Sequence, residues 1–201
     1  MSLKQITLQK SLPYILLIGG IIGYFCAFII MWDKVKLADN PHYVPSCSLN
    51  PVISCGSVMK SKQAAAFGFP NPFIGLGAFP AVAVVGGAML AGARFKRWFW
   101  LTLQAGYTLG TVFAYWLLFE SIYRIQALCP YCLAIDVIMT ITLWYLTLYN
   151  IDRKHINLPK GKPQRAYSWV RRHHLDLLIL WFFIIIALIL KHFWYYYGQH
   201  V

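Results

Sequence analysis

The sequence predicts an all-α integral membrane protein, on three observations. Hydrophobic residues make up 59% of the 201 residues and charged residues only 12%, whereas a soluble globular chain carries about 45–50% and about 25%. A soluble core of this size is too small to bury that much apolar surface. Several uncharged stretches also reach the length of about 20 residues that a helix needs to cross the hydrocarbon of a bilayer. Nucleic-acid binding, another common reason for a basic chain, needs a basic face on a polar domain and is therefore not expected.

Five apolar stretches are expected to form membrane-spanning helices. A Pro-Asn-Pro sequence interrupts the second uncharged run, so that span is expected to begin near Phe73. The fifth is the weakest, because its uncharged core of 14 residues must be extended past Lys191, with Trp194 and the tyrosines after it as an interfacial aromatic belt. The expected spans are residues 11–32, 73–93, 98–119, 129–150 and 175–197.

The distribution of Lys and Arg predicts the orientation. With the N-terminus in the cytoplasm, twelve of the 18 lie inside and six outside, so the positive-inside rule favours N-terminus in and C-terminus out. Topology and anionic lipid then account for the net charge of +12. The basic segment 151–174 is expected to be a solvated cytoplasmic loop, and the first span, which has no small-residue cleavage site after it, to be retained. The long polar connection 33–72 falls outside, and connections of this length are usually functional or disordered.

Four of the five cysteines lie on the predicted extracytoplasmic side, where disulfides persist. Cys47 and Cys55 are in the long outer loop, and Cys129 and Cys132 form Cys-Pro-Tyr-Cys at the outer end of the fourth span. The topology follows from Lys and Arg alone, so the position of the cysteines on the oxidising side supports it independently. Cys26 is alone in the first span and is expected to be an ordinary buried thiol.

The spacing of Cys129 and Cys132 favours redox chemistry. A zinc site would need a second short-spaced pair or two His ligands, and Leu133 stands where covalent haem attachment needs His. Cys129 is expected near the N-cap of a helix and Cys132 in its first turn, where unpaired N–H groups and the helix dipole favour a thiolate. Two structural disulfides are the alternative. If the two pairs instead form a relay that passes electrons from one pair to the other, the intermediate is a disulfide that joins one cysteine of each pair.

Three segments resemble the vitamin K epoxide reductase family, and its bacterial homologues most of all. They are Cys-Ser-Leu-Asn-Pro-Val-Ile-Ser-Cys-Gly-Ser-Val-Met-Lys-Ser at 47–61, Phe-Gly-Phe-Pro-Asn-Pro-Phe-Ile-Gly-Leu-Gly at 67–77, and the Cys-Pro-Tyr-Cys at 129–132. The similarity covers about residues 11–150. It implies a four-helix transmembrane bundle around a quinone, closed by the cysteine-bearing outer loop. The basic loop and the fifth C-terminal helix lie beyond it.

The resemblance also implies a cellular setting. Bacterial members use a quinone, menaquinone or ubiquinone, as co-substrate in the plasma membrane, and no metal is expected. They reoxidise a DsbA-like thioredoxin-fold dithiol protein, which makes disulfides in exported proteins. No thioredoxin domain follows the fourth span here, so that partner is expected to be a separate protein.

By position, the resemblance assigns a role to each outer cysteine. Cys132 matches the cysteine that reacts with the quinone, and Cys129 matches its partner. Cys55 matches the residue that forms the inter-pair disulfide with Cys129. Cys47 matches the cysteine that exchanges with the external dithiol.

Four more residues are candidate quinone contacts. Asn71 falls where the family places an asparagine that hydrogen-bonds the quinone carbonyl, or it caps the second helix. Ser61 matches a family serine near the cysteines, or is an ordinary helix hydroxyl, and Met59 occupies a position that is aromatic in vertebrate members. Asp136 replaces a vertebrate tyrosine and lies one turn after Cys132 on the same helical face. We expect it to deliver protons to the quinone or to Cys132, or else to hydrogen-bond a neighbouring helix.

The sequence therefore predicts a membrane thiol-disulfide oxidoreductase that passes electrons from a partner through both cysteine pairs to a quinone. Within this class, the alternative is vitamin K quinone or epoxide reduction proper. Outside it, the alternative is a non-enzymatic membrane scaffold or small transporter with structural disulfides.

Overall fold

The computed structural model describes residues 3–157, 159 and 161–197, and this part of the chain is helical with short connections. Lys160, in the predicted basic loop, lies outside the described residues. The α-helices are α1 (Leu3–Asp39), α2 (Cys55–Lys60), α3 (Pro72–Leu90), α4 (Arg97–Glu120), α5 (Pro130–Asp152), α6 (Lys162–Arg172), α7 (His174–His192) and α8 (Trp194–Tyr197). A 3-10 helix, Lys62–Ala65, follows α2, and a π-helical turn, Ser121–Ile125, continues α4.

Four of the described helices are long and apolar enough to cross a membrane, and they fit a multi-pass membrane protein. They are α1 over Lys10–Asp39, α3, α5 and α7, the last of which corresponds to the weakest predicted span. The predicted third span forms α4, which has 24 residues but is not one of the four. Gln104 and several Thr, Tyr and Trp residues lower the mean hydropathy of α4.

The bundle is formed by α1, α3, α4 and α5. Helix α1 packs against α3 and α5, and α5 packs against α4, while α3 and α4 line a shared cavity. The α1–α3 contact is close because it contains glycines: a Cβ added at Gly20 would lie 2.7 Å from the backbone N of Ala83, and one at Gly86 2.5 Å from that of Leu17. Small residues allow membrane helices to approach in this way.

A buried polar network ties α4 to α5 at the end of the bundle away from the cysteines. The Asn150 side chain, fully buried, donates from Nδ2 to Gln104 Oε1 at 2.9 Å. Gln104 Nε2 in turn donates to Thr147 Oγ1 at 2.8 Å. Because buried amides are costly without partners, this network fixes the register of the two helices.

The outer connection is more helical than predicted. Helix α1 continues beyond residue 32 to Asp39, and α2 and the 3-10 helix occupy much of the second half of the predicted loop 33–72. The apolar pattern marks only the part of α1 that faces lipid or core, so it underestimates the length of the helix.

Eleven residues of the expected solvated loop 151–174 form α6 instead of a loop, although none of them is buried. This amphipathic helix docks on the end of α5, because Tyr167 OH donates to Asp152 Oδ1 at 2.7 Å and Arg171 pairs with the same carboxylate at 3.0 Å. The predicted fifth span also differs, since α7 ends at His192 and α8 is separate. Phe193, at the break, is fully buried in a cluster with Val52, Leu118, Ile122 and Leu128.

Candidate active site

A short backbone bridge brings the two cysteine segments together. Ile53 and Leu128 form an isolated parallel bridge, in which Leu128 N donates to Val52 O at 2.7 Å and Ser54 N donates to Leu128 O at 3.0 Å. Cys129 directly follows Leu128, and Cys55 lies two residues after Ile53. The bridge therefore sets the two cysteines side by side although they are 74 residues apart.

The sulfur atoms of these segments are in contact. Cys47 and Cys55 form a disulfide, and the Cys129 sulfur lies 3.5 Å from the Cys55 sulfur. Cys55 is fully buried, and Cys129 is 2% exposed. Cys129 and Cys132 are free thiols. One disulfide and one dithiol therefore meet at a single sulfur–sulfur contact, which is what exchange between them requires.

The start of α5 shapes the chemistry of Cys129. As predicted, Cys129 is the N-cap and Pro130 is the first helical residue, where a missing N–H costs nothing. The Cys132 thiol donates a hydrogen bond to the Cys129 sulfur, and the backbone N–H groups of Cys132 and Tyr131 add further ones. Such bonds favour the thiolate, and a stabilised thiolate is the better leaving group in exchange.

Cys132 faces a large cavity inside the bundle. The cavity has a volume of about 660 Å³ and almost entirely apolar walls. Its walls come from α1, α3, α4 and α5, with α2 and the connection to α3 over the cysteine end. Pockets for small organic ligands are commonly of this size and character.

All four predicted contact residues line this cavity together with Cys132. They are Met59, Ser61, Asn71 and Asp136. Met59 is buried, and its carbonyl accepts a hydrogen bond from Lys34 at 3.2 Å. Met59 therefore contributes an apolar side chain to the wall, while its backbone ties α2 to α1.

The polar side chains among them also hold the connection from α2 to α3. Asn71 Nδ2 donates to Gln63 O at 2.7 Å, and Asn71 Oδ1 accepts from Ala66 N at 3.0 Å. Asn71 is the N-cap of α3 by position, but its side chain makes no capping hydrogen bond. Ser61 Oγ donates to Val58 O at 2.7 Å. These bonds keep both residues in place at the cavity wall.

Sequence reasoning missed the charged residues near the cysteine end. Lys34 lines the cavity, and Asp33 beside it is buried at 4% exposure. Buried Glu120 accepts a hydrogen bond from Gln63 at 2.9 Å and lies 3.5 Å from Arg124. Ile30, Asp33 and Leu37 follow helical spacing, and this spacing is the signal that could have placed Asp33 on the buried face of α1.

Two other expectations concern residues outside the sulfur contact. Cys26 is a free, buried thiol within α1, and it belongs to neither cysteine pair. Within the described part of the chain, no three His, Cys, Asp or Glu side chains are grouped so that they could hold a metal ion.

Comparison with known proteins agrees with this arrangement. The model of the vitamin K epoxide reductase family matches residues 14–147, a region that contains the whole cavity, the bridge and all four outer cysteines. No curated protein matches the chain significantly. With two thirds of its length matched, including every element of the candidate site, the chain belongs to the vitamin K epoxide reductase family.

Proposed function

We propose that the protein is a membrane thiol-disulfide oxidoreductase that takes electrons from a partner's dithiol and delivers them to a quinone. The observation that carries the proposal is the order of the sulfur atoms. Cys47 is bonded to Cys55, Cys55 lies 3.5 Å from Cys129, and Cys132 opens onto the apolar cavity. Each neighbouring pair in this order can exchange through a mixed disulfide.

The proposed exchange runs inward along these sulfurs. A partner thiolate attacks Cys47, and the partner's second thiol then releases it, which leaves Cys47 and Cys55 reduced. Cys55 attacks the oxidised inner pair at Cys129, forms the Cys55–Cys129 disulfide and frees Cys132. Cys47 then attacks Cys55, restores the outer disulfide and releases Cys129 as a thiol. Two electrons and two protons have moved from the partner to the inner pair, and the product is the state seen in the structure.

The size and the lining of the cavity support a quinone as its ligand. Its walls are apolar, while the Ser61 hydroxyl, the Asn71 amide and the Asp136 carboxyl lie among the lining residues with Cys132. A bound quinone accepts two electrons and two protons. In the proposal, Cys132 attacks the quinone and Cys129 then closes the Cys129–Cys132 disulfide, so the two thiols together supply the two electrons and the two protons. Asn71 orients a carbonyl, and Asp136 passes one of the protons to the quinone. Menaquinone and ubiquinone both meet this description, since each combines two carbonyls with an isoprenoid tail.

The proposed topology has five spans, with the N-terminus in the cytoplasm and the cysteines outside. It rests on the twelve Lys and Arg inside against six outside. Helix α4 counts as a span in this proposal, because its 24 residues extend about 36 Å along α5. A bacterial plasma membrane and a separate DsbA-like thioredoxin-fold partner complete the proposal.

The test is anaerobic quinone reduction by the purified protein in detergent, with a reduced thioredoxin-fold protein as the donor. Cys47→Ser and Cys132→Ser are expected to abolish turnover, since each removes one end of the relay. Cys26→Ser is the matched control, because it removes a buried thiol outside both pairs, and it should retain turnover.

Two results would overturn the proposal. One is a folded wild-type protein that reduces neither menaquinone nor ubiquinone analogues with any of several dithiol donors. The other is a Cys132→Ser variant that turns over as fast as Cys26→Ser. The first would leave the non-enzymatic scaffold as the better interpretation, and the second would show that Cys132 does not reduce the quinone.

A further inference from the structure

Asp33, on the outer part of α1, has a buried carboxylate with one oxygen unpartnered within the described part of the chain. Asp33 is 4% exposed, and Tyr43 OH donates a hydrogen bond to its Oδ1 at 2.9 Å. Asp33 Oδ2 is buried and has no hydrogen-bond partner among the described residues. An unsatisfied buried carboxylate oxygen is costly, and an acid within an apolar membrane helix is by default a functional candidate.

Asp33 is on the face of α1 that packs on the sulfurs. Ile30 and Leu37, three residues before it and four after it, both pack in the cluster that contains Cys47, Cys55 and Cys129. The charge of Asp33 also acts on Cys129, where it opposes a thiolate. Tyr43 of the outer connection and Cys129 at the start of α5 are the titratable groups that interact with Asp33. Lys34, beside it in the chain, is bonded to the Met59 carbonyl, and Lys36 lies over the Tyr43 ring.

The exchange step at these sulfurs requires a proton to move. When Cys47 attacks the Cys55–Cys129 disulfide, the Cys47–Cys55 bond forms and the Cys55–Cys129 bond breaks. No electrons leave the three cysteines, but the proton of the Cys47 thiol must be removed and the departing Cys129 thiolate must receive one. All three sulfurs are buried, so bulk water is a poor carrier for this proton.

We propose that Asp33 carries the proton, accepting it at Oδ2 from Cys47 and returning it to Cys129. This inference rests on the proposed relay and adds a residue to it. Tyr43 occupies Oδ1, so the proton acceptor is the unpartnered oxygen. Once protonated, Asp33 loses the charge that opposes the Cys129 thiolate at the moment when that thiolate leaves. Proton and electron movements are thus coupled at one side chain.

The exchange can be measured without any quinone. In a Cys132→Ser background, attack of Cys129 on Cys55 exposes Cys47 as a thiol, and an excess of iodoacetamide traps it for location by mass spectrometry. We expect Asp33→Asn to slow Cys47 labelling about 100-fold, the lower end of the usual general acid–base contribution. Asp33→Glu, which keeps a carboxyl group, should recover part of the rate. Asp39→Asn, at the exposed end of the same helix, is the control, and its Cys47 should be labelled as fast as in Cys132→Ser alone.

Two outcomes would overturn the inference. If Asp33→Asn labels as fast as Asp39→Asn, the carboxyl carries no proton in this step. If Tyr43→Phe, which keeps the carboxyl but removes its tether, is as slow as Asp33→Asn, the role of Asp33 is to anchor the outer connection. Failure of the wild type to reduce quinone would instead overturn the proposed function. The two failures can be distinguished, because the labelling assay does not use quinone.

Discussion

The close contact between α1 and α3 predicts different effects for two neighbouring alanine substitutions. A Cβ added at Gly86 would lie 2.5 Å from Leu17 N and 2.7 Å from Pro13 O. At Gly87, the next residue of the same helix, an added Cβ would have no heavy atom within 4 Å. Both positions are interior to α3, so Gly87→Ala is a matched control for everything except the contact with α1.

The size of the effect follows from these distances. Non-bonded heavy atoms prefer separations of about 3.5–4.0 Å, so Gly86→Ala requires the two backbones to move apart by about 1 Å. Overpacking of this kind costs about 1–3 kcal/mol. Alanine gains up to about 1 kcal/mol of helix propensity over glycine, but this gain is common to both variants and cancels. We expect Gly86→Ala to be less stable than Gly87→Ala by about 1–3 kcal/mol.

Thermal unfolding in detergent micelles, followed by the helical circular dichroism signal, measures the difference. For a chain of this length, 1 kcal/mol shifts the midpoint by about 2–4 °C, so Gly86→Ala should unfold several degrees below Gly87→Ala. Gly20→Ala should behave like Gly86→Ala, because its Cβ would lie 2.7 Å from Ala83 N. Equal midpoints for Gly86→Ala and Gly87→Ala would refute the direct backbone contact between α1 and α3.

Three other changes test separate parts of the fold. Tyr167→Phe removes the 2.7 Å hydrogen bond to Asp152, worth about 0.5–1.5 kcal/mol, and should speed trypsin cleavage within α6 relative to wild type. Gln63→Leu removes a 2.9 Å hydrogen bond to buried Glu120 and should lower the unfolding midpoint by an amount equivalent to about 1–3 kcal/mol. Burial and the charges of two nearby arginines lower the pKa of His155 from 6.5. The folded state therefore favours neutral imidazole, so the resulting stability is present above pH 6.5 and is lost as the pH falls below it. In His155→Gln, the free energy of unfolding should fall less between pH 7.5 and pH 5 than in the wild type.

The local geometry of the inner cysteine pair could be predicted from the sequence. Pro130 after Cys129 marks the first turn of a helix, and the structure has Cys129 at the N-cap and Cys132 within that turn. Apolar stretches likewise located the long helices, because burial in lipid or core requires a continuous run of hydrophobic residues. These are local properties, and local sequence is sufficient for them.

The contact between the two pairs is not a local property. It depends on the bridge between Ile53 and Leu128, which no periodicity in either segment indicates. The sequence pointed to a contact only through the relay expected of two cysteine pairs and through resemblance to a family. Helix α6 was missed for a different reason. Its charges indicated a solvated segment, but one carboxylate at the end of α5 pairs with Tyr167 and Arg171 and docks the helix.

The geometry also distinguishes the two outer cysteines and so supports unequal roles for them in the proposed relay. Cys55 is fully buried, whereas Cys47 is 8% exposed, so Cys47 is the less deeply buried of the two. Cys55 is fixed at the start of α2 and by the adjacent bridge, and Cys129 is fixed at the start of α5. Cys47 lies in a turn between Asp39 and Cys55 that has no helix of its own. In the proposed relay, movement of that turn would expose Cys47 to a partner while the Cys55–Cys129 contact stays in place.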